Sequence, residues 1–131
     1  MSHFSQLKTN LKNERFLKQA LTNLGHQIIE SDAGVEVRGF FGDSIKADFK
    51  IATATHYDIG FAKNSDGSYE VVGDWELLPK VSGIEQSVFV GQVKKEYAKT
   101  SILETAKQNG YGIETSENEE TGELEIVVTQ W

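Results

Sequence analysis

Apolar positions recur along this chain with two different periods, and each change of period marks an expected change of element. Over residues 12–24, "KNERFLKQALTNL", the side chains Phe16, Leu17, Ala20, Leu21 and Leu24 fall at the spacing that lines one face of a helix. Asn10 or Asn13 can cap its start, and Gly25 follows where a helix end favours a left-handed backbone. A second helix is expected over roughly 86–108, stopped by Gly110. Its apolar positions are less regular. Ala98, Ile102 and Ala106 form one line, and Val90, Val93 and Tyr97 lie roughly 100–150° round from it, which implies a bend or a wide buried face.

Elsewhere the period is two, as strands require. Residues 3–8, "HFSQLK", give a short strand without clean alternation. "HQIIES" (26–31) and "GVEVRGF" (34–40) read as two strands, the second placing Val35 and Val37 opposite in facing to Glu36 and Arg38. "KADFKIA" (46–52) sets Ala47, Phe49 and Ile51 on one face and Lys46, Asp48 and Lys50 on the other. Residues 57–76 form a hairpin, "LLPKVSG" with the sole proline, Pro79, breaks the pattern, and 111–129 form a last hairpin around "NEETGE". There Ile113 lies on one arm and Leu124, Ile126 and Val128 on the other. The order helix, glycine, strand, turn, strand occurs twice, over 17–39 and 102–128, so a duplicated unit stands beside chance as an explanation. Together the elements predict an α+β fold. It has a mostly antiparallel sheet of about six to eight strands, two helices packed on one face, and the other face open to water or a partner.

Register decides what the hairpin "YDIGFAKNSDGSYEVVGDWE" presents, because a slip by one residue reverses every side chain. A two-residue Asp66-Gly67 turn sets Ile59 opposite Asp74 and mixes both faces. A three-residue loop, Ser65-Asp66-Gly67, ends in a glycine bulge and sorts them. Phe61 then faces Val71, Ile59 faces Gly73 and Tyr57 faces Trp75, with Gly73 leaving room for the rings. The second register is preferred. It places Asp58 opposite Asp74, a like-charge pair that needs compensation. By alternation Asp48, Lys46, Lys50 and Arg38 join that polar face. The plain reading is a solvated face whose carboxylates alternate with basic residues, each exposed pair worth roughly 0–1 kcal/mol. The sharper one is a partner-contact surface of Arg38, Lys46, Asp48, Asp58 and Asp74. A cation or acid–base site is the third, and three aspartates alone do not meet the needs of a hard cation.

Composition narrows the function classes. At 131 residues the chain is sized for a single domain, spanning 1–131, with 38% apolar and 25% charged residues. A net charge of −7 argues against nucleic acid as a partner. Lys8, Lys12, Arg15 and Lys18 make the first helix region basic, whereas Glu114, Glu117, Glu119, Glu120, Glu123 and Glu125 make the last hairpin acidic. The lack of cysteine rules out disulfides and thiolate sites. With no apolar leader or long apolar run, the expectation is no membrane association and a cytoplasmic location. No phosphate-binding glycine loop, dinucleotide fingerprint or nucleophile elbow occurs, and His3, His26 and His56 lack zinc spacing. They read as surface or strand-edge residues, and no cofactor is implied. Lys94, Lys95 and Lys99 near Tyr97 read as a solvated helix face. Trp75 is expected in the core beside Tyr57, and Trp131 as the end of the last strand folded onto the body.

"MSHFSQLKT" followed by "LKQALTNLG", then "VRGFFG", "YDIGF", "YEVVGDW", "VKKEYAK" and a terminal tryptophan together resemble the hypothetical chloroplast reading frame thirty-five family. Its members occur in cyanobacteria and plastids. The match runs in order over nearly the whole chain. It departs at Gly73 and Glu76, where the family pattern has alanine before Asp-Trp and often an aromatic after it. The resemblance implies a domain of unknown function without assigned catalytic residues, in the cytoplasm or the plastid stroma. It also implies an accessory role in photosynthetic cells beside an AAA-type ATPase. The expected function is therefore a non-enzymatic accessory or adaptor protein. The alternative is a small-molecule or cofactor-binding domain with a pocket between helices and sheet, lined by Tyr57, Phe61, Trp75 and Tyr97. Paired carboxylates acting as acid and base come third.

Overall fold

A computed structural model of the protein describes residues 4–39 and 43–130. The expectations for His3 and Trp131 fall outside those residues. In chain order the elements are β1 (Phe4–Lys8), α1 (Glu14–Asn23), β2 (Ile28–Arg38), β3 (Ser44–Ile51), β4 (Ile59–Lys63), β5 (Tyr69–Asp74), α2 (Leu78–Ser82), α3 (Gln86–Gln108), β6 (Tyr111–Glu117) and β7 (Leu124–Gln130). The fold is α+β, as the alternation of periods predicts. Its strands divide between a five-stranded antiparallel sheet, ordered β1-β5-β4-β3-β2, and a two-stranded sheet, β6-β7.

The helices begin and end where local chemistry dictates. Asn13 caps α1, its side-chain oxygen accepting from the Phe16 N–H at 3.0 Å, and Gly25 follows the helix at φ +89°. The segment around Pro79, read from sequence as a break, contains the short helix α2. Proline near its start is compatible with helix, because the first-turn N–H groups have no partner within the helix. Leu17 and Leu21 of α1 meet Phe49, Ile51, Ile59, Phe61 and Val71 of the sheet and Phe89, Val90 and Val93 of α3 in one core. The long helix α3 packs against α1, the sheet and the β6–β7 hairpin. Neighbours on several sides explain why its apolar residues form no single stripe.

The hairpin β4–β5 adopts the three-residue loop. Phe61 pairs with Val71 and Gly60 with Val72, the Asn64 N–H reaches the Ser68 carbonyl at 2.8 Å, and Gly67 takes φ +87°.

Three expectations are corrected. Residues 26–31 and 34–40 are not two strands: β2 is one strand that pairs with β3 throughout, interrupted where residues 31–34 stand against Asp48 alone. Gly34, at φ +84°, ends that bulge. The duplicated unit falls with it, because the segment after α1 is one bulged strand whereas the segment after α3 is a hairpin. The second face of the sheet is also not open. Beyond the bulge the β2–β3 hairpin crosses it, so that a Cβ at Gly60 would stand 2.2 Å from Val37 Cγ2 and 3.0 Å from Ala47 Cβ. Val37, Gly60 and Val72 are all buried there. A bulge increases twist and bends its strand, which is what this crossing needs.

Gly60→Ala is therefore expected to destabilise the protein by about 1–3 kcal/mol through overpacking against Val37. Gly91→Ala, on α3 with open space around its Cβ position, should instead stabilise by about 1 kcal/mol. Urea unfolding of the two variants checks both signs.

Candidate functional site

Under the crossing hairpin lies a buried cluster of charged side chains centred on Asp58. Asp58 immediately precedes β4 and its residue is 0% exposed. Its Oδ2 accepts the Arg38 backbone N–H at 2.9 Å, the Arg38 Nε at 2.9 Å and the Lys50 Nζ at 3.0 Å. Its Oδ1 accepts the Arg38 Nη2 at 2.9 Å. The Asp58 N–H donates to the Arg38 carbonyl at 3.2 Å, so backbone and side chain tie together two strands that are not neighbours in the sheet order. Lys50 also donates to the Glu36 carbonyl at 2.8 Å. Burial alone raises the pKa of Asp58. The hydrogen bonds from the Arg38 side chain and backbone, then those from Lys50, outweigh it and hold the carboxyl below its ordinary range.

The five residues expected on one contact surface therefore separate. Arg38 and Asp58 come together with Lys50, and the Arg38 side chain keeps half its surface in water. Lys46 is exposed, paired in register with Glu36. Asp48 is exposed and accepts the Lys63 N–H at 2.6 Å. Asp74 is buried at the corner between β5 and α2, accepting the Leu77 N–H on both its side chain, at 3.4 Å, and its carbonyl, at 3.2 Å. Asp58 and Asp74 are interior rather than on a solvated face, Asp58 beneath the β2–β3 hairpin and Asp74 at the corner between β5 and α2. Alternation along a strand reports which residues share a face and is silent on what crosses it. The compensation that a facing carboxylate pair demands is met, for Asp58, by an arginine fork and a lysine.

The aromatic set is dispersed in the same way. Phe61 stacks on Phe49 at 5.1 Å between centroids, and both Phe61 and Trp75 lie tilted against Phe89, at 6.4 Å and 6.0 Å. Tyr97 meets Phe16 edge-on, and its hydroxyl accepts the Asn13 N–H at 3.0 Å. Tyr57 is half-buried against the core. Trp75 is in the core as expected, with no hydrogen-bond partner for its Nε1 among the described residues. Phe89, the ring between Phe61 and Trp75, was not singled out from the sequence. The signal was there, since Phe89, Val93 and Tyr97 recur every four residues on α3.

Of the histidines, His56 is exposed and His26 sits edge-on to Phe89 at 5.6 Å, with burial lowering its pKa. Among the described residues no group of three or more metal-binding side chains converges, and no helix is long and apolar enough to cross a membrane.

Fold and site together define a small α+β protein whose main buried charge cluster locks a bent hairpin across an antiparallel sheet. A family described as "Protein of unknown function (DUF1257)" has a model that matches residues 20–127, and the chain belongs to that family. Among its relatives is an "Uncharacterized protein ycf35" of Cyanophora paradoxa, 30% identical over 131 residues, covering 100% of this chain and 98% of the relative. Proteins of the same description from Guillardia theta and Pyropia yezoensis are 30% and 29% identical with the same coverage. The family suggested by the sequence motifs is thus the one found. No solved structure matches the chain.

Asp58→Ala would leave Lys50 and the inner part of Arg38 without their counter-charge, and a loss of about 3 kcal/mol is expected, at the low end for a broken buried pair because Arg38 is half exposed. The native pKa lies below the unfolded value, so this stability is present above the ordinary carboxylate value of 3.8 and is lost as pH falls through the native pKa. The stability gap between wild type and Asp58→Asn should accordingly narrow below that pH, as read by chemical denaturation across a pH series.

Proposed function

We propose that this chain is a non-enzymatic accessory protein of photosynthetic cells that acts by binding a protein partner, with an AAA-type ATPase as the partner class. Its place is the cytoplasm, or the stroma where a plastid encodes it. One observation carries this reading. Asp58, the carboxylate whose pairing with Asp74 suggested acid–base chemistry, is enclosed and saturated by Arg38 and Lys50. A general acid or base needs access to substrate and a pKa near the working pH, and Asp58 is shifted the other way. Binding to a partner places no such demand. Lys46, Asp48 and the outer half of Arg38 remain on the surface for it. The reading as a cofactor pocket lined by Tyr57, Phe61, Trp75 and Tyr97 has less support, since Phe89 lies against both Phe61 and Trp75.

The test is affinity capture from a cyanobacterial lysate, followed by mass spectrometry, with an unrelated protein of similar net charge as control. Enrichment of an AAA-type ATPase is expected, together with a change in its ATP hydrolysis rate when the purified components are mixed. If the captured proteins match those of the control, the accessory reading is wrong.

A further inference from the structure

Two shallow grooves meet along the N-terminal half of α3. One, of about 300 Å³, is lined by His26, Ile84, Glu85, Val88, Phe89 and Gln92. The other, of about 360 Å³, shares His26 and Gln92 and continues to Leu24, Lys95, Glu96 and Glu117. They form one trough with an apolar floor and an acidic rim. Val88 on its edge is 58% exposed, the most exposed large apolar side chain among the described residues. Phe89 forms the floor, with His26 edge-on against it. Burial keeps the His26 imidazole below its ordinary pKa and so neutral at pH 7. Lys95 is the one cation among the described lining residues, and it is paired with Glu117. Glu85 and Glu96 therefore set the sign of the rim. Just beyond Glu117, the turn of the β6–β7 hairpin adds exposed Glu119, Glu120 and Glu123.

We propose that this trough docks a basic amphipathic segment of a partner protein. Its apolar side chains seat on Ile84, Val88 and Phe89, and its lysines or arginines lie against Glu85, Glu96 and the hairpin turn. The proposal rests on the partner-binding reading above and names the chemistry of the partner. From Glu85 to Glu96 the rim follows about 16 Å of helix, the length of three helical turns of a bound segment and more than a compact small molecule spans. A second copy of this chain would bring acidic rim to acidic rim, and nucleic acid carries the same sign. Exposed apolar surface with a net acidic rim is the pattern of a helix-in-groove site for a basic segment.

The probe is a synthetic 18-residue helix with leucines on one face and lysines on the other, and its counterpart carries glutamate in place of lysine. Amide NMR shifts on titration should map to residues 83–92 and His26 with the lysine peptide and be absent with the glutamate peptide. Val88→Lys should weaken binding about tenfold, or about 1.4 kcal/mol, and Glu85→Lys about threefold. Both positions are exposed, and circular dichroism checks that the variants fold. Three results with the purified protein would overturn the proposal. Shifts confined to residues 114–125 would mean charge adsorption on the acidic hairpin. Equal binding of the glutamate peptide would mean an apolar pocket without charge selection. A concentration-dependent dimer abolished by Val88→Lys would mean that a second copy occupies the trough. The peptide titration needs no lysate, so its failure removes the trough alone. If the peptide binds but lysate capture yields no partner, the partner-binding reading fails instead. If Val88→Lys captures the same partner as wild type, that reading stands and the trough is not its site.

Discussion

A carboxylate withdrawn from water must find its counter-charge inside the protein, and the rest of this fold is arranged around how Asp58 does so. Its partners come from two different strands, Arg38 at the end of β2 and Lys50 on β3. To deliver them, the β2–β3 hairpin bends at the bulge before Val35 and lies across β4. The same bend brings Val37 over Gly60, so ionic and apolar contacts close the second face together. Replacing a buried ion pair with apolar residues is often neutral or stabilising. Such a cluster therefore does more to specify where the hairpin lies than to raise stability. Arg38 suits the task because its fork engages both carboxylate oxygens while its outer edge stays hydrated.

Local features were legible in the sequence and long-range ones were not. The α1 stripe, the Asn13 cap and the glycine-bulge loop depend on residues a few positions apart, and each is present as read. The hairpin register followed from turn chemistry combined with the sorting of faces. The crossing of β2 over β4 depends on residues 31–34, a bulge that reads as a turn between two separate strands. Two separate strands leave the polar face with nothing to cover it, and Asp58 then reads as solvated. One clue was available: Gly60 stands between Ile59 and Phe61, a missing side chain in an apolar strand, as expected where another backbone element approaches closely. The α2 segment was missed for a different reason, since a proline that ends one element can also begin a helix.

Charge is distributed unevenly over the finished surface. The basic residues of the first helix region are partly engaged, Lys18 with Glu14 and Glu30, and Arg15 with Glu104 at 3.9 Å. Of the glutamates of the last hairpin, Glu117 pairs with Lys95, and Glu119, Glu120 and Glu123 are exposed at the turn. The net negative charge is thus concentrated toward one side of α3, where long-range attraction of a cationic partner is strongest and falls with added salt. The family relationship extends over the full chain length at 29–30% identity in three relatives, so these surfaces belong to a domain found whole in those relatives.

The division of the strands into two sheets has a mechanical side. Among the described residues the β6–β7 hairpin lies along α3 and shares no ladder with the five-stranded sheet, whereas β1 to β5 are bound edge to edge and Asp58 ties β2 and β3 to the start of β4. Cooperative units of this kind open independently, the less anchored one at lower free energy. The chain is thus built in two tiers, a five-stranded core and an acidic hairpin whose hold on it comes through packing on α3 rather than through a shared ladder.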